Sequence, residues 1–369
     1  MAVTVLRPVI PDTVERIIVI GDLNGNDEAF TRLLAKIGYT KKDALFILGN
    51  LVEEGPDSLR TLRHVMELAS KNPVYTVLGD RDIICKELLR NDRNDELLKY
   101  VLSRKSGLIY DMCLNSDITL KPDTNMFFVK QSLRVLYERE IAFVCAMPHI
   151  IETEHFLFAH AQVYPGKLED MNPNEVIRAD AFLDKGFSFD KHVFVGYWPV
   201  MLYNRYRRDA NPYIVHKRRI VCMNGGISQK RDGQLNAVIL HRNDPDIRKA
   251  QFVYEDALPK GKVLNSQPAG ESAHSVDAPD NVVIPLRVVD DFTYCKQDKT
   301  DRNFWIPTSF LTEKDGVVYS DSITDYQIPV TFGDVVSVIA ATSRGYLIKK
   351  DGITGWYYGM MDLSGTYSG

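Results

Sequence analysis

Apolar residues follow two rhythms along this chain, and the change from one to the other divides it. In the longer first part, unbroken apolar runs of strand length, Ile17–Ile20, Ala44–Leu48 and Val74–Leu78, are interleaved with stretches whose apolar residues recur every three or four positions. Phe30, Leu33, Leu34 and Ile37 fall on one face and Gly38 follows, which predicts an amphipathic helix over Asp27–Ile37. Asp57–Ala69 repeats the pattern with Leu59, Leu62, Val65, Met66 and Ala69, and Pro56 stands just before it. Two strand-turn-helix units in tandem predict a parallel sheet with right-handed crossovers. Residues 82–106 read as helical, 107–123 as irregular, and 132–145 as a helix ended by Pro148. Ile150–Ile151 and Phe156–Phe158 predict a hairpin. Short strands follow at 193–195, 220–223 and 237–240, with Phe252–Tyr254 outside them, so a parallel set is expected first and a more antiparallel set later.

Residues 259–281 are rich in Pro, Gly, Ser and Ala and nearly free of large apolar side chains, the composition of a flexible linker. From Val282 to about Asp362 the rhythm shortens to brief β segments separated by turns such as Lys314-Asp315-Gly316 and Lys350-Asp351-Gly352, which predicts a small barrel. The expected organisation is a first domain at 1–258, a linker at 259–281 and a β domain at 282–369.

Composition narrows the function classes. With 45% hydrophobic and 25% charged residues and a net charge of -4, the 369-residue chain reads as an ordinary soluble protein with no nucleic-acid partner. Arg7 and two prolines interrupt the only apolar stretch near the start, and no run reaches membrane-spanning length, so the expectation is a cytoplasmic protein with no membrane partner. Cys85, Cys113, Cys145, Cys222 and Cys295 are odd in number and scattered, which predicts reduced core thiols in place of a disulfide framework or a zinc site.

The chemistry-bearing residues stand where the strands end. Each of the three early apolar runs passes into a turn in which Gly is followed at once by Asp or Asn: Gly21–Gly25 (GDLNG), Gly49–Gly55 (GNLVEEG) and Gly79–Asp82 (GDRD). Parallel sheets place polar groups in this way along one edge. Later strands deliver His160 with Ala161-Gln162, Gly196-Tyr197-Trp198-Pro199 and Asn224-Gly225-Gly226. This ordered set, from Ile17 to Arg242, resembles the calcineurin-like metallophosphoesterases, in particular the bacterial branch of the phosphoprotein phosphatases, whose motifs run GDxHG, GDxVDRG, GNH(D/E), HAG and GH. The resemblance implies an α/β sandwich of two mixed sheets flanked by helices, with the site on the loops at their shared edge.

It also implies a metal-ligand set, and here the residues depart from the pattern. Asp22 stands at the family's first aspartate. Asn24 stands for a histidine, Asn50 for the bridging aspartate, Asp80 for an asparagine and Tyr197 for the last histidine. Of these positions only Asp22 and His160 keep the expected chemistry. A neutral amide does not compensate two dications as a bridging carboxylate does. Arg81 stands at the general-acid position and releases no proton at physiological pH, while Leu78 and Glu54 replace two phosphate-clamping arginines. Arg81, set between Asp80 and Asp82 and, on that fold, near Asp22, Glu53 and Glu54, is expected to neutralise carboxylates that metals would otherwise serve, with direct capture of a phosphate or carboxylate as its alternative role. Residues 203–219 mix basic and aromatic side chains and read as a solvated loop beside the site.

Over Ile328–Met361 the second part resembles bacterial SH3-like barrels, with a GD turn and a KDG-x-x-GW close. That likeness implies a protein partner met by a row of aromatics, for which Tyr346, Trp356, Tyr357 and Tyr358 are the candidates, although Leu347 stands near the place of a key tryptophan. The reading is a catalytically impaired phosphoesterase, a pseudophosphatase, working as a binding or scaffolding protein without a metal cofactor. The alternative is an active serine/threonine-type phosphatase using Mn, Fe or Zn at a divergent, mononuclear site on Asp80, His160 and Asn50. A third reading makes the SH3-like domain the effector and the first domain its support.

Overall fold

The runs that end in Gly-Asp or Gly-Asn do form neighbouring parallel strands. The computed structural model describes residues 2–204, 207–244 and 246–365, and it divides the chain into two units. The first comprises Met1–Pro199, Pro212–Gln229 and Gln234–Glu255; the second comprises Val200–Asn211, Lys230–Gly233 and Asp256–Gly369.

The first unit begins with β1 (Val5–Leu6), β2 (Arg16–Ile20), α1 (Asp27–Lys36), β3 (Asp43–Ile47), α2 (Ser58–Lys71) and β4 (Val74–Thr76). A helical stretch follows: α3 (Ile84–Glu87), α4 (Asn94–Arg104), α5 (Leu108–Asn115), α6 (Met126–Leu136) and α7 (Glu138–Ala146). The unit ends with β5 (Ile150–Glu152), β6 (Phe156–Ala159), α8 (Pro173–Ile177), β7 (His192–Val195), β8 (Tyr213–Val215), β9 (Ile220–Cys222), β10 (Leu235–His241) and β11 (Gln251–Glu255). One sheet has the order β11-β10-β2-β3-β4, with β2, β3 and β4 parallel and β10 antiparallel to β2. The other has the order β1-β5-β6-β7-β9-β8.

Alternation along β2 sends Ile17 and Val19 to one face and Ile18 and Ile20 to the other, and each face is covered. Between the sheets, Phe46 stacks on Phe158 at 4.2 Å and Phe158 on Phe194 at 5.5 Å, with Val221 and Val238 in the same cluster. Each such ring adds about 2 to 3 kcal/mol of burial energy. The opposite face packs on Phe30, Leu33, Leu62, Val65 and the apolar residues of the helical stretch. In α1 the Asn26 side chain accepts the Ala29 N–H, and Asp27 and Glu28 meet the positive end of the helix dipole.

Three expectations for this unit change. The later sheet is not mainly antiparallel: β6, β7 and β9 are parallel, joined by crossovers too long for hairpins. Residues 107–123 are not irregular throughout, because Leu108, Ile109, Met112 and Cys113 form the buried stripe of α5. The single helix expected at 132–145 is two helices, α6 and α7, meeting at Tyr137, whose buried hydroxyl is held by Ser116 and the Met112 carbonyl. Cys85, Cys113, Cys222 and Cys295 are buried and Cys145 is exposed.

The second unit contains β12 (Lys260–Val263), β13 (Ser275–Val276), β14 (Val283–Val289), β15 (Phe292–Gln297), β16 (Asn303–Pro307) and β17 (Leu311–Lys314). It continues with β18 (Val317–Ser320), β19 (Ile323–Thr324), β20 (Val335–Thr342), β21 (Gly345–Lys350), β22 (Ile353–Tyr357) and β23 (Met361–Asp362). A five-stranded sheet runs β22-β21-β20-β12-β23 and a three-stranded one β14-β15-β16, with β13-β19 and β17-β18 as short pairs. The stretch expected as a linker therefore carries a central strand: β12 pairs with both β20 and β23, and Val263 is fully buried. Backbone pairing holds it where side chains offer little.

Two segments from the middle of the chain also belong to this unit. Arg208, 1% exposed, grips Asp232 with two bonds of 2.8 Å and also pairs with Asp277. Thr354 donates to Asp232, and the buried Lys349 reaches the Gly233 carbonyl. The aromatic row is corrected as well. Trp356 and Tyr357 are core residues, Trp356 donating from Nε1 to the Thr324 carbonyl and Tyr357 from its hydroxyl to the Asn265 and Met360 carbonyls. Of the four, Tyr358 is exposed and Tyr346 half-buried.

Candidate functional site

The carboxyl ends of β2, β3 and β4 deliver Asp22, Asn50 and Asp80, and those of β6, β7 and β9 deliver His160, Tyr197 and Asn224. Two glycines let these turns approach. A Cβ on Gly79 would lie 2.2 Å from the Asn50 nitrogen, and one on Gly196 would lie 2.1 Å from Asp22 Oδ1. Asp82 stitches two of the turns, its carboxylate accepting the Leu51 N–H at 2.8 Å and the Gly79 N–H at 2.9 Å. Asn24, Asn50, Glu53, Glu54 and Tyr197 all have positive φ, and only the asparagines adopt that region readily.

Asn50 is the centre of the constellation. Its Oδ1 accepts the Arg81 backbone N–H at 2.9 Å, which leaves Nδ2 to donate to Asp22 Oδ2 and Asp80 Oδ1, both at 3.2 Å. The hydrogen-bond network thus fixes the amide's orientation. A pair of N–H donors, not an oxygen lone pair, stands between the two carboxylates.

His160, with no exposure, places Nδ1 2.6 Å from the Leu48 carbonyl and Nε2 3.3 Å from Asp80 Oδ1. Burial alone would lower its pKa, but Asp22, the Asp80 hydrogen bond and charge, and the Leu48 carbonyl together raise it to about 9. The ring is then an imidazolium at neutral pH, donating at both nitrogens. Burial pushes Asp22 up to about 6 against the pull of His160. Burial works on Asp80 in the same sense, but His160, then Arg81 and Asn50, hold it down at about 2.

Arg178 adds a bond from Nη2 to Asp80 Oδ2 at 3.2 Å. Arg81 reaches Glu54 at 3.3 Å and Asp80 at 3.9 Å. Glu54 is shared with Arg104 at 3.0 Å. Glu53 turns to the helical stretch, where Tyr100 and the Leu108 N–H each donate to it at 2.8 Å. The Tyr197 N–H donates to Asp22 at 3.1 Å, its hydroxyl donates to Asp180, and burial with Asp180 and Asp80 pushes that phenol up to about 12. Leu78 is a buried core residue.

The donor set does not fit a pair of divalent cations. The bridging position presents N–H, and the phenol is committed to Asp180. Among the described residues no group of three or more His, Cys, Asp or Glu side chains is arranged to hold a metal ion. Asn24 donates Nδ2 to the Ile227 carbonyl at 3.0 Å and retains a buried Oδ1 without a partner. One neutral acceptor does not replace a bridging carboxylate.

The six family positions thus come together, while the helical neighbours Tyr100 and Arg104 and the two residues after α8, Arg178 and Asp180, were not found from the sequence. No motif marks them; they are set by tertiary approach. Residues 205 and 206 of the basic-aromatic stretch lie outside the described residues. No helix among the described residues is long and apolar enough to cross a membrane.

Residues 15–130 match the family model "Calcineurin-like phosphoesterase". The chain is similar to the symmetrical bis(5'-nucleosyl)-tetraphosphatase of Acidovorax sp. (strain JS42), 46% identical over 65 residues, which are 17% of this chain and 22% of the relative. It is also similar to the enzyme of that name from Pseudomonas syringae pv. syringae (strain B728a), 30% identical over 175 residues, 44% of this chain and 55% of the relative. Among solved structures, a metallophosphoesterase from Sphaerobacter thermophilus is 14% identical with a TM-score of 0.37, covering 66% of this chain and 89% of that one. The chain spans from about a fifth to about half the length of these curated relatives.

Proposed function

We propose that the calcineurin-like phosphoesterase domain carried by residues 15–130 and continued through the second sheet is catalytically impaired here and serves as a binding or scaffolding module. The observation that carries this reading is the Asn50 amide, held by Arg81 so that its N–H groups occupy the place of a bridging carboxylate. His160 and Arg178 supply the positive charge next to Asp80 that cations would otherwise bring. Arg81, bound to Glu54 and near Asp80, supports the neutralising role over direct capture of an anion.

A second reading keeps the chain an active phosphoester hydrolase with a divergent, mononuclear site. The names of the relatives favour it, and they favour a dinucleoside polyphosphate over a phosphoprotein as its substrate. Elemental analysis after equilibration with Mn²⁺, Zn²⁺ and Fe²⁺ and removal of the excess separates the two. The proposal expects no stoichiometric metal and no turnover of a bis(5'-nucleosyl) tetraphosphate or a phosphopeptide. One bound metal per chain with turnover abolished by His160→Ala would establish the second reading instead.

A further inference from the structure

The three-stranded sheet of the second unit has one face in the core and one outside it. Directly opposed residues share a face, and the register sets Arg287 against Tyr294 and Tyr294 against Trp305. Cys295, Phe304 and Ile306 line the buried face. The other carries the row Arg287, Tyr294 and Trp305, with Tyr294 and Trp305 4.8 Å apart between ring centroids. Arg344 lies on the Trp305 ring at 3.9 Å and on Phe292 at 4.7 Å, and Arg287 lies 5.4 Å from the same Trp305.

Neither guanidinium has a carboxylate within ion-pair distance among the described residues, in a protein where most arginines do. Asp291 accepts the N–H and hydroxyl of Ser343 and feels the charge of Arg344 from beyond ion-pair distance. A guanidinium held over an aromatic ring keeps N–H donors for a bidentate acceptor. On the edge strand β14, Ile284 stands opposite Lys296, shares the face of Tyr294 and is 45% exposed, whereas Val288, opposite the buried Thr293, belongs to the other face.

We propose that this face docks an acidic, extended segment of a protein partner, with carboxylates on Arg287 and Arg344 and an apolar side chain on Ile284. Charge complementarity selects an anionic occupant. The aromatic geometry selects a peptide over single-stranded nucleic acid, because base stacking needs an open ring face and Trp305 is already covered by Arg344 and flanked by Tyr294. The exposed Ile284 on the same face likewise fits a peptide better than a free anion. Arg344 stands in the turn between β20 and β21, two residues before Tyr346, so this surface adjoins that end of the five-stranded sheet.

The test is selection of a random-peptide phage library on the intact chain, on Arg287→Glu and on an Arg344→Glu variant whose fold is checked by its urea midpoint. Arg287→Gln, an exposed and charge-neutral change, serves as the mild variant. Enrichment of Asp and Glu beside apolar residues on the native chain is expected, with selected peptides weakened about tenfold or more by either reversal. Absence of acidic enrichment, or enrichment that survives both reversals, overturns the proposal. So does tight retention of oligothymidylate that the same variants lose, which would assign the face to nucleic acid.

Discussion

Asn50 accepts the backbone N–H of Arg81 at 2.9 Å, and that bond decides what lies between Asp22 and Asp80. An amide anchored in this way presents N–H groups inward; a carboxylate would present an oxygen. Asn50→Asp therefore brings a third carboxylate into a buried cluster and removes two donors. The variant is expected to lose about 2 to 3 kcal/mol in EDTA and to regain stability with Mn²⁺ or Zn²⁺, while the native chain responds to neither. Thermal unfolding with and without metal reads this directly, and a native midpoint that rises with Mn²⁺ would count against a metal-free site.

His160 and Arg178 both contact Asp80 but differ in burial. His160 has no exposure, whereas the Arg178 side chain is 64% exposed. His160→Ala is expected to cost about 3 kcal/mol or more, since it strips the buried carboxylates of their internal cation, and Arg178→Ala less than about 1 kcal/mol. Urea unfolding of the two variants separates them. If His160→Ala were as stable as the native chain, the imidazolium would not be holding the site together.

How legible the site was depended on where its parts came from. The strand ends were readable because Gly followed by Asp or Asn after an apolar run encodes both the turn and the polar group. The direction in which the Asn50 amide faces was not, because a backbone N–H from another turn sets it. Arg81 was expected to neutralise the carboxylates that metals would otherwise serve, and it shares that task with His160, Arg178 and Arg104, the last two brought in by tertiary approach. Likewise the Pro- and Gly-rich stretch at 259–281 suggested a linker by composition, yet β12 is held by backbone pairing on both sides, which composition does not report.

The segments Val200–Asn211 and Lys230–Gly233 give the second unit an inward boundary that the sequence concealed. The Ala210 N–H donates to the Gly352 carbonyl, Thr354 N–H donates to the Arg208 carbonyl, and Arg208 is chelated by Asp232. A chain ending at 258 is expected to be soluble only poorly, because Arg208 and its neighbours lose their partners, and the isolated 259–369 piece lacks both segments. Size-exclusion chromatography of the two pieces and of the intact chain checks this; two monomeric, cooperatively folding pieces would contradict it.

Asp232 also fixes an acid limit for that unit. Burial would raise its pKa, but the charge and hydrogen bonds of Arg208, then Lys349 and Thr354, hold it well below the usual carboxylate range. Asp256, buried beside Lys349 and Lys260, is lowered in the same way. In both cases the unfolded chain takes up a proton more readily than the folded one. The stabilisation is therefore complete above about pH 4, the ordinary carboxylate value, and is lost as the pH falls below it toward the folded-state values. The urea midpoint followed by near-UV circular dichroism should drop between neutral pH and about pH 3. Asp232→Asn should start lower by about 3 kcal/mol, having broken a buried pair, and then fall less with acid than the native chain. An unchanged acid slope in that variant would place the titrating group elsewhere.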